Sequence, residues 1–328
     1  MAAELGQILV TGSSVDDRYL DKLRSAGFTV NLVPELLDEE RLGKALEPCT
    51  AYLLGGDEFA SRAALARAKS LKVVGFLGVG YSSFVDADAA RDLGIAVTNT
   101  PGTLTNTVAE FTIGMLLAQR RQIPAYAADF RSGHANPDKQ RDIGGHRLAV
   151  VGLGAIGSRI AEIARVAFGA EVSYYSRTRK PETEERLGLT YRPLPDLLAW
   201  SEAVVVMVSE SAETRGMIGS EEVRLFDDAG VVLVNTARPS IVEPAALLEG
   251  LGNGKIESAA FDNFYGADVP ELAALLEYPQ SRLLITPHLG SLTHDARDAM
   301  AEMCVTSLVN LAAGRPDPNV VNGLGAVH

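Results

Sequence analysis

The chain has 328 residues, long for one core and suited to two domains. It is 47% hydrophobic and 22% charged, as in an ordinary globular protein, and its 30 basic and 42 acidic side chains give a net charge of −12. That balance argues against nucleic acid or an anionic membrane surface as a partner. No apolar run approaches the length of a membrane span, and Met1-Ala-Ala-Glu-Leu carries no basic-plus-apolar signal pattern. Cys49 and Cys304 lie far apart and match no disulfide framework or metal-ligand spacing, so the expected setting is a reducing cytoplasm.

The first hundred residues alternate strands and helices. Strand-like runs are Gln7–Thr11, Phe28–Val33, Ala51–Leu54, Lys72–Phe76 and Ile95–Thr98, with helices between them such as Asp16 to Ala26 and Glu58 to Ser70. Thr100-Pro-Gly-Thr103 breaks the pattern, and one long helix is expected from about Thr105 to Arg131, followed by a turn-rich loop over Ser132 to Asp138. The alternation then resumes, with strands near Val204–Met207, Gly230–Asn235, Ser258–Phe261 and Leu283–Ile285 and a last helix from about Thr293 to Gly314. This order predicts an α/β fold class, with two doubly wound parallel-sheet (Rossmann-like) domains and the active site in the cleft between them. The expected division is residues 1–103 plus 292–328 as a discontinuous substrate-binding (catalytic) domain, and 104–291 as the dinucleotide-binding domain.

The most specific segment is Leu148-Ala-Val-Val-Gly152-Leu-Gly154-Ala155-Ile156-Gly157, a buried strand, a glycine turn and a helix start. Gly152 permits the turn, Gly154 lets the backbone approach a pyrophosphate, and Gly157 lets the helix pack on the strand, leaving free N–H groups at the helix start for the phosphates. The next strand ends Ser176-Arg177-Thr178-Arg179-Lys180, where a chain preferring NAD usually has Asp or Glu for the ribose hydroxyls. A hydroxyl and a guanidinium suit a 2′-phosphate instead, so NADP(H) is the preferred cofactor, with NAD(H) as the alternative.

Hydride transfer to a carbonyl needs a proton donor for the developing alkoxide and a cation for the acid group. Arg238, in Asn235-Thr236-Ala237-Arg238-Pro239, follows an apolar strand and can grip a carboxylate with two parallel bonds; a surface ion pair is the plain alternative. His288, in Thr286-Pro-His288-Leu-Gly290, is the one histidine of five placed directly after a hydrophobic strand, and imidazole can give and take a proton near neutrality.

Taken together these segments resemble the D-isomer-specific 2-hydroxyacid dehydrogenase family, over about Ala51 to Asn322. The landmarks in family order are Gly78-Val-Gly-Tyr81 with Val85-Asp86, Thr98-Asn-Thr-Pro-Gly102, Thr107-Val-Ala-Glu110, the glycine motif, Asn235-Thr-Ala-Arg238, Phe261-Asp262 and Thr286-Pro-His-Leu-Gly290. The resemblance implies that Arg238 binds the substrate carboxylate and carbonyl oxygen and that His288 is the general acid in reduction. It implies that backbone N–H groups around Val79 and Gly80 cradle the substrate carboxylate. Thr107 would touch the cofactor phosphate, Thr236 and Ala237 would line the nicotinamide pocket beside His288 and Gly290, and Asp262 would anchor the carboxamide. A homodimer supported by the helix after Thr105 is also implied.

Two departures stand out. The family's glutamate five residues after the aspartate, which pairs with the histidine, is here Ala267; Asp268 is the replacement expected, with Glu271 the weaker one. Without a carboxylate, an imidazole holds its proton less tightly. Near the substrate mouth the chain has Leu54-Gly-Gly-Asp57-Glu58, where the two acids either disfavour a phosphorylated substrate or simply begin a helix. The reading that follows is reduction of a small 2-keto acid such as glyoxylate or hydroxypyruvate to the D-2-hydroxy acid. The rivals are a biosynthetic dehydrogenase of a bulkier hydroxy acid and a cofactor-sensing binding protein with little turnover.

Overall fold

The computed structural model describes residues 4–12, 15–133 and 139–324. Most of the loop expected at Ser132 to Asp138, with His134, and the terminal His328 lie outside the described residues. In chain order the elements are β1 (Gly6–Thr11), α1 (Asp17–Ala26), β2 (Phe28–Val33), α2 (Glu39–Leu46), β3 (Cys49–Leu54), α3 (Arg62–Arg67), β4 (Val73–Phe76), α4 (Ala87–Asp92), β5 (Ala96–Thr98), α5 (Thr105–Arg120) and α6 (Ile123–Arg131). There follow β6 (Arg147–Val151), α7 (Ala155–Phe168), β7 (Glu171–Tyr175), α8 (Pro181–Leu187), β8 (Thr190–Tyr191), α9 (Leu194–Trp200), β9 (Ala203–Val206), α10 (Ser220–Arg224), β10 (Val231–Asn235), α11 (Pro244–Asn253), β11 (Ile256–Asp262), α12 (Leu272–Leu276), β12 (Leu283–Thr286) and α13 (His294–Ala312). Contacts divide the chain into two units, Met1–Leu104 with Thr293–His328, and Thr105–Leu292.

The first unit holds a parallel sheet in the order β2-β1-β3-β4-β5. Alternate residues of its strands feed opposite faces. Leu9, Tyr52, Leu54, Val74 and Val97 pack with α2 and α3 on one side. Ile8, Val10, Ala51, Leu53, Val73 and Ala96 pack on the other with α1 and with Ala301, Cys304, Val305, Leu308 and Leu311 of α13. Burial of both faces explains the near-continuous apolar runs. The chain's end is tied to the edge strand: the Asn322 side chain accepts from the Val97 N–H and donates to the Ile95 carbonyl.

The second unit holds the order β12-β11-β10-β9-β6-β7-β8, all parallel. This is the doubly wound arrangement in which the order reverses beside the first strand of the unit, here between β6 and β9. Ala149, Val151, Val204, Val206, Leu233 and Phe261 face one core, and Leu148, Val150, Val205, Val234 and Ala260 the other.

Two expectations need correction. The single helix over 105–131 is two helices, broken at Gln122, which is left-handed with a φ of 49°. Pro124 is the cause, since it lacks an N–H and is suited to the first turn of a new helix rather than the middle of an old one. The helix expected from Glu58 is shorter: its N-cap is Ser61, whose hydroxyl accepts from the Ala64 N–H at 3.2 Å. Neither Asp57 nor Glu58 begins it. Glu58 is instead only 3% exposed and accepts a hydrogen bond from the Tyr52 hydroxyl at 2.7 Å, with Thr11 on the other side of that hydroxyl. Burial first, then the neighbouring Glu58 charge, pushes the Tyr52 phenol well above its ordinary range.

Candidate active site

Because every strand of the second sheet is parallel, β6, β7, β9, β10, β11 and β12 end at one edge. The glycine turn, Ser176 to Thr178, Thr236 to Arg238, Asp262 and His288 all lie at or just beyond those carboxyl ends. The loops after β6 and β9 touch at the reversal point. Gly152 has a φ of 107°, and a methyl group on it would stand 2.4 Å from the Met207 carbonyl oxygen. A methyl on Gly157 would stand 2.0 Å from the Gly152 carbonyl oxygen, so only glycine lets α7 approach β6 this closely.

Gly154 differs from both. It is the N-cap of α7, offers no side-chain cap, and a methyl on it would meet nothing within 4 Å. The first-turn N–H groups at Ala155 and Ile156 therefore have no side-chain acceptor and lie at an exposed or half-exposed surface. Those N–H groups and the positive end of a fourteen-residue helix fit a pyrophosphate. Thr107 lies half-buried in the first turn of α5.

The turn after β7 is held by a hydrogen-bonded network. Glu184 accepts from the Tyr174 hydroxyl at 2.7 Å and from Arg179 at 2.8 and 2.7 Å. The Arg179 bond first, then the Tyr174 bond, hold the Glu184 carboxyl at about 2, well below its ordinary value. Arg179 is thus occupied, whereas Arg177 is exposed beside Ser176, whose hydroxyl donates to the Thr178 carbonyl at 2.6 Å.

After β10 the chain is folded over one side chain. Asn235 accepts from the Ala237 N–H at 3.0 Å and donates to the Arg238 carbonyl at 2.9 Å, a side-chain-closed turn of the kind asparagine favours. Arg238 emerges half-buried, with one guanidinium nitrogen on the Ala237 carbonyl at 2.8 Å. Thr236 is joined to α5 by a 2.6 Å bond between its hydroxyl and that of Thr112, which in turn donates to the Val108 carbonyl. Neither Asn235 as the organiser of this turn nor Thr112 stood out in the sequence.

Asp262, at the end of β11 and 3% exposed, has both oxygens engaged by the segment that carries His288. Thr286 Oγ1 and the Leu289 N–H donate to Oδ1, and the Gly290 N–H to Oδ2, each at 2.7 Å. His288 is exposed and left-handed, with a φ of 56°. Among the described residues the one histidine–carboxylate pair is His146 with Glu202, at 3.1 Å, remote in sequence from this edge. Asp268 lies on the exposed turn 266–268, and Glu271 lies near Tyr265, whose phenol is raised by burial first and then by the Glu271 charge. Neither is hydrogen-bonded to His288. In the first unit, Val79 and Gly80 follow β4 on an exposed turn, and the Asn99 side-chain amide donates to the Val79 carbonyl at 2.9 Å.

Residues 113–290 match the sequence model of the D-isomer specific 2-hydroxyacid dehydrogenase, NAD binding domain. A glyoxylate reductase of Aeropyrum pernix is 36% identical over 293 residues, covering 87% of this chain and 86% of that one. A glyoxylate reductase of Thermococcus litoralis is 34% identical over 315 residues, covering 92% and 86%. Among solved structures, the TT0316 protein of Thermus thermophilus superposes with a TM-score of 0.84 at 33% identity, covering 96% of this chain and 99% of that one. The apo D-lactate dehydrogenase of Escherichia coli gives a TM-score of 0.81 at 26% identity, over 95% and 99%.

Proposed function

We propose that this chain, which belongs to the D-isomer-specific 2-hydroxyacid dehydrogenase family and is an NAD(P)-dependent oxidoreductase of the CH–OH group, reduces a small 2-keto acid, glyoxylate or hydroxypyruvate, to its D-2-hydroxy acid. The observation that carries the reading is the placement of Arg238 and His288 beyond neighbouring parallel strand ends, on either side of the buried Asp262 at the end of β11. Arg238 holds the substrate carboxylate and polarises the keto oxygen. His288 delivers the proton to that oxygen as it becomes an alkoxide. Val79 and Gly80 offer backbone N–H groups to the carboxylate. The bound nicotinamide supplies the hydride.

The phosphates rest on the N–H groups around Gly152, Gly154, Ala155, Ile156 and Gly157, with Thr107 beside them. Asp262, Thr236, Ala237 and Gly290 surround the nicotinamide. Ser176, Arg177 and Thr178 receive the 2′-phosphate of NADP, and the occupation of Arg179 by Glu184 leaves Arg177 as the guanidinium for it. The assembly we infer is a homodimer; α6 buries none of its residues within the chain and leaves Ile123 and Phe130 exposed. Asp268 would support His288 once the turn 266–268 reaches it.

The test is initial rates with glyoxylate, hydroxypyruvate, pyruvate and phenylpyruvate, each with NADPH and NADH, on the native chain and on His288→Asn. Asparagine tolerates the left-handed backbone at this position, so the fold should hold. We expect NADPH to be favoured with the two small substrates, and kcat of the variant to fall roughly 10²–10⁴-fold with cofactor binding kept. Full activity in His288→Asn would remove the histidine from the chemistry, and a native chain that binds cofactor without turning over any pair would point to the sensing role.

A further inference from the structure

We propose that Asp262 is a positioning residue for His288: its carboxylate fixes the turn that aims the imidazole, in addition to any contact with the cofactor. The inference rests on His288 being the proton donor.

Three donors converge on this one carboxylate, and all come from β12 and the turn after it. Thr286 Oγ1 lies before the histidine, and the Leu289 and Gly290 N–H groups lie after it, each 2.7 Å from an Asp262 oxygen. The backbone is therefore pinned on both sides of residue 288. What lies between is a histidine with a φ of 56°, a left-handed conformation uncommon for any residue but glycine. Such a residue persists where its surroundings over-determine it, and such residues gather at functional sites.

Two further bonds complete the frame. The His288 N–H donates to the Thr286 carbonyl at 3.0 Å, and the Asn263 N–H, next to the aspartate, donates to the same carbonyl at 2.8 Å. Gly290 belongs to the device as well: a methyl there would stand 2.8 Å from Asp262 Oδ2, closer than real Cβ contacts allow. Three 2.7 Å bonds to one buried side chain hold the turn far more firmly than its exposed position alone would permit.

An amide cannot replace this carboxylate. With its oxygen toward Thr286 and Leu289, the Asp262→Asn nitrogen faces the Gly290 N–H; flipped, it faces the Leu289 N–H. Either way one backbone donor meets another donor, and the turn must shift. A displacement of about 1 Å in a reacting group costs on the order of 10²-fold in rate.

The experiment uses the full-length enzyme with NADPH. Asp262→Asn, Thr286→Val and His288→Asn are compared for kcat and KM, and for the NADPH dissociation constant by fluorescence titration. We expect Asp262→Asn to lower kcat at saturating NADPH roughly 100-fold, well beyond any rise in the NADPH dissociation constant. Thr286→Val, which removes one donor of the three, should lower kcat less with the same split, and it carries the test if the aspartate variant does not fold. Weakened NADPH binding with kcat intact at saturating cofactor would overturn the proposal and leave Asp262 as a cofactor anchor only. Parallel loss of binding, kcat and melting temperature in Asp262→Asn and Thr286→Val would overturn it as a general structural effect. Retained activity in His288→Asn would instead sink the catalytic reading beneath it, an outcome separable from both.

Discussion

At Gly290 a single methyl group tests how little room the reactive edge has. Placed there it would stand 2.8 Å from Asp262 Oδ2 and 3.3 Å from the Phe111 ring. The carboxylate cannot swing away, because Thr286 and Leu289 hold its other oxygen. Gly290→Ala should therefore destabilise the fold by about 1–3 kcal/mol, as overpacking of a tight site does, and lower kcat more than it raises KM for the keto acid. Thermal unfolding alongside steady-state rates checks both; a variant with native stability and native kcat would show that the turn yields easily.

At the scale of elements, the turn between β7 and α8 illustrates how charge supports a loop. The Glu184 carboxyl is held at about 2 by Arg179 and Tyr174, below its ordinary value of 4.5. A depressed carboxylate contributes stability that is complete above the unfolded value and is lost as the pH falls through the folded one. The melting-temperature gap between the native chain and Glu184→Gln should thus be constant above about pH 5.5 and narrow as the pH falls from about 4.5 toward 2; a gap that widens on acidification would contradict the assignment. Much at this scale was legible in the sequence. The apolar runs of β1, β6, β9 and β10 marked a two-sided parallel core, and the glycine spacing marked the β6–α7 turn. Less legible were features decided by one residue acting at a distance. Pro124 splits α5 from α6 with its neighbour Gln122 taking the strained conformation. Glu58 looks like a helix-starting acid until Tyr52, on the neighbouring strand, is seen to hold it inside. The short helices α8, α9, α10 and α12 carry too few turns to show a clear period, and the grip of Asp262 on residues 286–290 spans more than twenty positions that no local pattern connects.

For the molecule as a whole, the second unit is one continuous stretch, Thr105–Leu292, with a core on each side of its own sheet. Expressed alone it should fold cooperatively and change NADPH fluorescence on binding, because its glycine turn, α7 and both faces of its sheet all lie within this stretch. Failure of the excised piece to bind cofactor would show that its glycine edge depends on the first unit. The first unit has the opposite character. One face of its sheet is covered by α13, and Arg18 and Lys22 of α1 are ion-paired to Asp298 and Glu302 near the other end of the chain. During synthesis the five strands of that sheet emerge first, and roughly 190 further residues must be made before their cover exists, on the order of 10–40 s at the usual pace of a ribosome. Throughout that interval Leu53 and Val73, on the strands that α13 covers, have only α1 beside them on that face, while the later-made unit carries both of its cores within one stretch. The part of the protein translated first is the last to mature, and the exposure of its half-built sheet to chaperones or to neighbouring nascent chains is written into the position of its final helix.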